Sequence, residues 1–331
     1  MTKKYKILIP DRLVPPADIE ESVFGDEAEL QLFQAVNAHE IEDKVWEECD
    51  AVLAWHELYF DKNLLSKMEN CKVIVRVGVG YDNIDIVSAA EFGIIVCNVP
   101  DYGTDDVADH TMALMLSLCR GIKFYDVAAK EGIWKWEPGS KLRRVKGSTL
   151  GIIGLGRIGT AVALRAKAFG LNVRFYDPYK SHGYEKALSL GRDYSLSQLA
   201  ENSDIISIHT PLTNETKMMI GKDFFESCKN EIIFINTARG QIVNLNSLYE
   251  AMKEGKVLFA GLDVLETEPP QFDNPFIKEW SGDKGALKDR VIITPHSAFY
   301  NKESYIEMRK KAAEEALRIL KGEKPFYEVK K

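Results

Sequence analysis

In mid-chain, Thr149-Leu-Gly-Ile-Ile-Gly-Leu-Gly-Arg-Ile-Gly159 runs a hydrophobic strand without a break into Gly154, Gly156 and Gly159, and then into helical periodicity. Few folds accommodate that order. Gly154 permits a tight turn, Gly156 lets a backbone come close to a ligand, and Gly159 lets a helix pack on the strand. The helix N-terminus then offers unpaired N–H groups and the positive end of its dipole to a pyrophosphate. Read alone, the pattern is equally explained by a glycine-rich turn. A second strand, Val173-Arg-Phe-Tyr176, ends in Asp177, about twenty residues past Gly156, where an acid that binds a ribose hydroxyl belongs. Strand, turn, helix, strand and acid in register read as a dinucleotide site. A carboxylate at 177 accepts from the 2′-hydroxyl of NAD and repels the 2′-phosphate of NADP. Pro178 and Tyr179 follow, and Lys180 is the one cation nearby in sequence, so the expected cofactor is NAD.

The rest of the chain repeats this alternation. Apolar runs rich in Val and Ile predict strands over 6–9, 51–55, 73–77, 94–98, 149–153, 173–176, 205–209, 232–236, 258–263 and 291–294. Helical spacing of apolar residues falls between them, over 41–48, 61–70, 83–92, 105–120 and 158–169. This order predicts an α/β fold of two Rossmann-like doubly wound domains with parallel sheets. Residues 132–139, with two tryptophans and a proline, read as an arm or loop. The helix expected over 302–321 has no further strand to pack on, so it folds back on the first domain. The expected division is therefore 1–101 plus 300–331, a discontinuous substrate-binding domain, and 102–299, an NAD-binding domain.

A chain of 331 residues suits two such domains. A net charge of −7 excludes a nucleic-acid footprint, which needs clustered Lys and Arg. The five cysteines are scattered without a CxxC pair, so reduced thiols in a cytoplasm are expected, with neither a disulfide framework nor a metal site. Residues 1–10 read as a first strand and not a signal peptide, and no apolar run reaches the roughly 20 residues of a membrane helix.

Hydride transfer to a keto group needs a proton donor for the developing alkoxide and a cation to hold the substrate. Of the six histidines, His39 and His182 lie in polar stretches and His110 sits on a long helix, where a structural role is expected. His209 closes a strand beside Thr210-Pro211 and can line a cofactor cleft. His296 follows a strand in Thr294-Pro-His-Ser-Ala298, at the kind of strand end where doubly wound folds hold their sites. Taken alone, it is equally a histidine satisfied within a turn. Arg239 follows a strand in Asn236-Thr-Ala-Arg-Gly240, and Glu268 closes Gly261-Leu-Asp-Val-Leu-Glu-Thr-Glu268; in isolation each also reads as a solvated surface charge. Arg76-Val-Gly-Val-Gly80 follows a strand and exposes backbone N–H groups suited to an anion.

Together, Arg76–Asp85, Gly154–Gly159 with Asp177, Asn236–Gly240, Gly261–Pro269 and Thr294–His296 resemble the D-isomer-specific 2-hydroxyacid dehydrogenases over nearly the whole chain. The likeness is greatest to the C-terminal-binding protein branch, through Arg165–Gly170, Phe175–Tyr179 and His296–Tyr300. The resemblance implies interconversion of a 2-oxo acid and a D-2-hydroxy acid. His296 would be the general acid/base, paired with Glu268. Arg239 would bind the 2-oxo and carboxylate groups, and the backbone of Val77, Gly78 and Val79 would hold the carboxylate. His56 would contact the substrate tail. Cofactor contacts would come from Gly154, Gly156, Arg157, Ile158, Gly159, Asp177, Pro178, His209, Thr210, Pro211, Thr216, Thr237, Ala238, Asp263 and Ala298. The family's two domains close over a cleft, and it dimerises through the nucleotide domain, with 132–139 in the arm.

Gln241 and Asn244 depart from the family's arginine motif at positions without a role, and Phe299 stands where animal C-terminal-binding proteins carry Trp. Glu268 and His296 lie farther apart in sequence than is usual, which predicts a surface insertion over 280–288. An NADH-sensing scaffold or corepressor is the alternative reading; the chain's end soon after its last helix favours the enzyme. Phosphoglycerate dehydrogenase is a weaker match, because Trp55-His56 replaces the basic character a phosphate needs and no regulatory domain follows.

Overall fold

The apolar runs become two parallel sheets. The computed structural model describes residues 4–139, 141–282 and 285–330, and the chain divides into two units, Met1–Gly103 with Tyr300–Lys331, and Thr104–Phe299. In the first unit the described residues form β1 (Tyr5–Ile9), β2 (Ala28–Leu32), β3 (Ala51–Ala54), β4 (Val73–Arg76) and β5 (Ile95–Cys97). Their order is β2-β1-β3-β4-β5, every pair parallel. The order reverses between β1 and β3, and at such a reversal the connections leave on opposite faces and open a crevice at the strand ends. Ile7, Leu8, Ile9, Val52, Val73 and Ile74 are fully buried, which is why these strands read as unbroken apolar runs. Each such side chain contributes roughly 1.5–3 kcal/mol. The edge strand β2, Ala-Glu-Leu-Gln-Leu, is half exposed and carries no apolar run to mark it.

The helix Lys302–Leu320 packs on β3, β4 and the helix Asp18–Phe24 of this first unit. Its Arg309 meets Glu20 through two bonds, Nε to Oε1 at 2.9 Å and Nη2 to Oε2 at 2.6 Å, with both residues buried. Removing either partner strands a buried charge, at a cost of about 3–5 kcal/mol.

In the second unit the described residues form β6 (Thr149–Ile153), β7 (Asn172–Tyr176), β8 (Gly191–Arg192), β9 (Ile205–Ile208), β10 (Ile232–Asn236), β11 (Val257–Leu262) and β12 (Val291–Ile293). The order is β12-β11-β10-β9-β6-β7-β8, again parallel, with its reversal between β6 and β9. One face is covered by the helices Thr104–Arg120 and Arg157–Ala168, through Met112, Met115, Val162 and Ala166. The other buries Leu199, Phe224, Phe225 and Leu248. Both units are thus doubly wound parallel-sheet domains.

Several local expectations change. The helix expected over 61–70 is just Lys62–Leu65, started by the Asp61 carboxylate accepting from the Leu64 amide at 2.8 Å. Residues 122–130 form a helix the sequence pattern did not mark, Ile122–Lys130. In the arm that follows, Trp134 and Trp136 are 90% and 77% exposed. The described residues over 280–288 are exposed or half-buried apart from Leu287. This stretch leaves the helix Pro275–Ser281, whose Phe276 and Ile277 are buried, and returns Leu287 to the core at 1% exposure; Asp283 and Lys284 lie outside the described residues. All five cysteines are buried and free. Among the described residues no helix is long and apolar enough to cross a membrane.

Candidate active site

Two loops flank the reversal in the second unit: Gly154–Gly159 leaves β6, and His209-Thr210-Pro211 leaves β9. Gly154 sits at φ +88°, and a Cβ there would lie 2.7 Å from Thr210 Cγ2 and 2.8 Å from the His209 carbonyl oxygen. At Gly159 a Cβ would come within 2.1 Å of the Gly154 carbonyl oxygen. These two positions therefore hold turn, strand and helix together. A Cβ on Gly156 would meet nothing within 4 Å, so that glycine faces open space. The helix Arg157–Ala168 starts there with no side chain capping it, leaving its first amides for a ligand. Asp177 is held beside this turn, Oδ2 accepting from the Leu155 amide and Oδ1 from the Tyr179 amide, each at 2.9 Å. Thr210 Oγ1 is buried without a partner among the described residues. Open space at Gly156, an uncapped helix start, a carboxylate alongside and an unmet buried hydroxyl fit the phosphates and ribose of a dinucleotide.

Desolvation pushes the His209 ring down to about 3, so it presents a neutral imidazole, with Nε2 2.9 Å from Ser207 Oγ. Thr216 closes the neighbouring loop by donating to the Pro211 carbonyl at 2.6 Å. Arg157 and Pro178 are exposed and Ile158 is half-buried. Lys180 is not the one cation near Asp177. The fold brings in Arg192 from β8, whose guanidinium donates to the carbonyls of Asp177 at 3.3 Å, Lys180 at 2.7 Å and Ser181 at 2.9 Å. Those bonds commit its charge to shaping the loop.

The ends of β10, β11 and β12 carry the second cluster. Asn236 closes β10 and folds the next turn: its Nδ2 donates to the Arg239 carbonyl and its Oδ1 accepts from the Ala238 amide, both at 3.0 Å. Arg239 Nη1 donates to the Ala238 carbonyl at 2.8 Å. Thr237 is buried, its hydroxyl 2.8 Å from that of Thr111. Glu268 Oε1 accepts from the Leu265 amide at 2.8 Å, and Oε2 lies 2.7 Å from His296 Nδ1. Burial works to raise the Glu268 carboxyl. The hydrogen bond and charge of His296, the Leu265 amide and the Arg239 charge outweigh it and hold the group below the usual carboxylate range.

His296 itself has φ +50°, a left-handed backbone that costs a non-glycine residue about 1–3 kcal/mol and persists only where the surroundings impose it. Asp263, buried at 2% exposure, imposes it. Its carbonyl accepts from the His296 amide at 2.8 Å. Its carboxylate accepts from the amides of Ser297 and Ala298, each at 2.9 Å, and from the Thr294 hydroxyl at 2.5 Å. Asp263 and Ala298, both expected among the cofactor contacts, are thus bonded to each other, and Asp263 anchors the His296 loop.

In the first unit the crevice between β1 and β3 is lined by different loops. Buried Asp11 follows β1 and accepts from the amides of Trp55 at 2.9 Å, Glu57 at 2.8 Å and Leu58 at 3.4 Å. Asn83 Nδ2 donates to the carbonyls of Trp55 and Leu58 at 3.0 and 2.9 Å. Together they pin the loop that presents His56, whose Nε2 is 3.6 Å from Glu57 Oε1. After β4, the Val77 amide donates to the Ala54 carbonyl and the Gly78 amide to the Arg76 carbonyl, both at 2.8 Å. The Val79 amide takes no acceptor among the described residues, while its carbonyl accepts from Asn98 Nδ2 at 2.6 Å.

Sequence reasoning missed Asp11, Asn83, Asn98 and Arg192, and it gave His110 to the helix alone. Asp11 carried a usable signal, an acid directly after an apolar strand, as at Asp177. The others act through partners too distant in sequence to be paired by spacing.

Residues 112–298 match the family described as D-isomer specific 2-hydroxyacid dehydrogenase, NAD binding domain. The chain belongs to that family. Its second unit is therefore an NAD-binding domain, in keeping with the fit of the glycine loop. C-terminal-binding protein 1 of Caenorhabditis elegans is 37% identical over 317 residues, covering 93% of this chain and 42% of that one. A D-3-phosphoglycerate dehydrogenase of Archaeoglobus fulgidus is 41% identical over 276 residues, covering 82% of this chain and 50% of the other. The chain thus spans about half the length of these relatives. Among solved structures, the D-lactate dehydrogenase of Aquifex aeolicus, complexed with NAD and lactic acid, superposes with a TM-score of 0.83 at 31% identity, over 96% of each chain.

Proposed function

We propose that this member of the family is an NAD-dependent D-2-hydroxyacid dehydrogenase that interconverts a 2-oxo acid and a D-2-hydroxy acid. The observation that carries the reading is the 2.7 Å pair of His296 Nδ1 and Glu268 Oε2, set beside the Arg239 turn in the same unit as the glycine loop. Glu268 holds the imidazole through Nδ1, which makes Nε2 the atom that exchanges a proton with substrate. In reduction, Nε2–H protonates the alkoxide as it develops; in oxidation, Nε2 accepts the hydroxyl proton. The Glu268 carboxylate stabilises the charged ring between those states. Arg239 binds and polarises the 2-oxo group and its carboxylate. The Val79 amide contributes to carboxylate recognition and His56 to the substrate tail. Gly154, Gly156, Gly159, Asp177 and Thr210 hold the dinucleotide, with Thr237 and Ala238 toward its nicotinamide. Bound as NADH, the cofactor would supply the hydride in reduction; bound as NAD⁺, it would take it up in oxidation.

A panel of 2-oxo acids graded by side-chain size and charge, followed by loss of NADH absorbance, tests the activity. Binding of NADH without turnover of any of them would favour the second reading, an NADH-sensing scaffold, which the 37% identity to C-terminal-binding protein 1 supports. Asp177→Ala tests the cofactor: removing the acid that repels a 2′-phosphate should move preference from NADH toward NADPH, and an unchanged ratio would mean that the ribose is held elsewhere. Trp134 and Trp136 are exposed, and the Trp136 carbonyl accepts from the amide of Gly139, which with Leu142 lines a cavity of about 430 Å³ in the same unit. They support a homodimer formed through the NAD-binding domain, to be checked by sedimentation. The buried, free thiols support a cytoplasmic setting.

A further inference from the structure

The helix Thr104–Arg120 does more than cover a sheet face. Two consecutive residues on it reach the ends of two different strands. Thr111 donates its hydroxyl proton to the Val107 carbonyl at 2.7 Å, so the 2.8 Å contact with Thr237 is one in which Thr237 donates. His110 Nε2 lies 3.0 Å from Thr294 Oγ1 and 3.7 Å from Asp263 Oδ1.

Counting protons orients the second contact. Asp263 accepts two backbone amides and the Thr294 hydroxyl, and an ionised carboxylate has no proton to give back. The Thr294 proton is therefore committed to Asp263, which leaves its oxygen able only to accept from His110. A neutral His110 must then carry its proton on Nε2.

We propose that His110 is a positioning residue for His296. Its Nε2–H fixes the Thr294 hydroxyl toward Asp263, and Asp263 in turn holds the amides of His296's two successors and keeps His296 in its left-handed turn. The inference rests on the acid–base role of His296 given above. The chain of bonds runs from His110 through Thr294 and Asp263 to the backbone of Ser297 and Ala298, so His110 acts on His296 through other residues. Without the donor, the Thr294 hydroxyl is freed to rotate, Asp263 loses a charge-assisted bond, and the loop that aims His296 loosens. Partial loss of such a bond, where it sets the geometry of the reacting group, is expected to lower the rate roughly tenfold.

The tautomer can be read without turnover. In protein labelled with ¹⁵N-histidine, the neutral His110 ring should show a protonated Nε2 and an unprotonated Nδ1, assigned by its loss in His110→Gln. An unprotonated Nε2 overturns the proposal. In kinetics, His110→Leu should lower kcat about tenfold, while His110→Gln, whose side-chain amide can still donate to Thr294, should recover most of that loss. Equal damage from Leu and Gln, or no damage from Leu, overturns it. Pairing His110→Leu with Thr294→Val should cost no more than the worse single change, because both break one chain of bonds; additive losses would place His110 outside it. His296→Gln separates the premises. Wild-type turnover in that variant removes the acid–base reading, whereas its collapse alongside an unaffected His110→Leu removes this inference alone.

Discussion

Each unit buries one aspartate at the end of a strand and uses it to shape a loop that carries a histidine, yet the two devices differ in what they do for the ring. Asp11 gathers the amides of Trp55, Glu57 and Leu58 around His56. Asp263 gathers those of Ser297 and Ala298 beside His296. His56 lies outside the left-handed region, with its Nε2 3.6 Å from Glu57 Oε1. His296 is driven to φ +50° and meets Glu268 at 2.7 Å. The first arrangement fixes where a polar ring stands. In the second, Glu268 also engages Nδ1 of the ring. A buried carboxylate is thus a means of shaping a loop in both units, and in the second a further carboxylate, Glu268, orients the ring.

The largest expected effect breaks the pair apart. His296→Gln should lower kcat by about 10²–10⁴-fold, the range that a positioned acid–base contributes, while NADH fluorescence reports unchanged binding. His56→Gln should leave kcat nearly intact and raise KM for the 2-oxo acid by up to about tenfold, the worth of one neutral hydrogen bond. If the two variants exchanged these patterns, the proton would have to be carried by the first unit.

A smaller effect separates the anchors. Asp263→Asn and Asp11→Asn each replace an oxygen that accepts backbone N–H by an NH₂ that cannot. Each should cost about 1–3 kcal/mol of stability in urea unfolding. Their kinetic consequences should diverge: Asp263→Asn lowers kcat because the left-handed turn at His296 relaxes, and Asp11→Asn leaves kcat close to wild type. Equal losses of kcat would mean that Asp11 also sets the geometry of the reacting groups.

The two loops were not equally legible. Gly154, Gly156, Gly159 and Asp177 could be read because their logic is local: a turn, a helix start and the end of the next strand, all within one βαβ unit. Strands buried on both faces, such as β3, β9 and β10, read plainly as apolar runs, whereas β2, with Glu29 and Gln31 on a half-exposed edge, and the two-residue β8 were not marked. Arg239, Glu268 and His296 each passed for an ordinary surface or turn residue until family likeness joined them. Their contact depends on the ends of β10, β11 and β12 lying side by side, which spacing does not encode. Asp11 and His110 failed for the same reason more severely, since Asp11 meets Trp55 from 44 positions away and His110 meets Thr294 from 184. Arg192 shows the converse error. Reading the sequence immediately after Asp177 found Lys180 alone, while the neighbouring strand β8 carried a second cation into the same loop.

The smallest effect sharpens the contrast by sign. Burial raises the Asp11 carboxyl above its usual range, against the opposing pull of the Trp55, Glu57 and Leu58 amides and the Arg76 charge. Glu268 goes the other way, held low by His296 despite its burial. A lowered folded-state carboxyl gives up its proton more readily than the unfolded chain does. Its stabilisation is therefore complete above the unfolded value near ~4.3 and is lost as pH falls through the folded one. A raised carboxyl binds protons more tightly when folded, so its contribution shrinks as pH rises from the unfolded value near ~3.9 through the folded one. Denaturant unfolding across the acid range should show the stability gap between wild type and Glu268→Gln widening as pH rises. The gap to Asp11→Asn should narrow, because the amide does not incur the growing cost of a buried charge. Gaps that moved in the same direction would mean that Asp11 is held as firmly ionised as Glu268, and that the two units use their carboxylates alike.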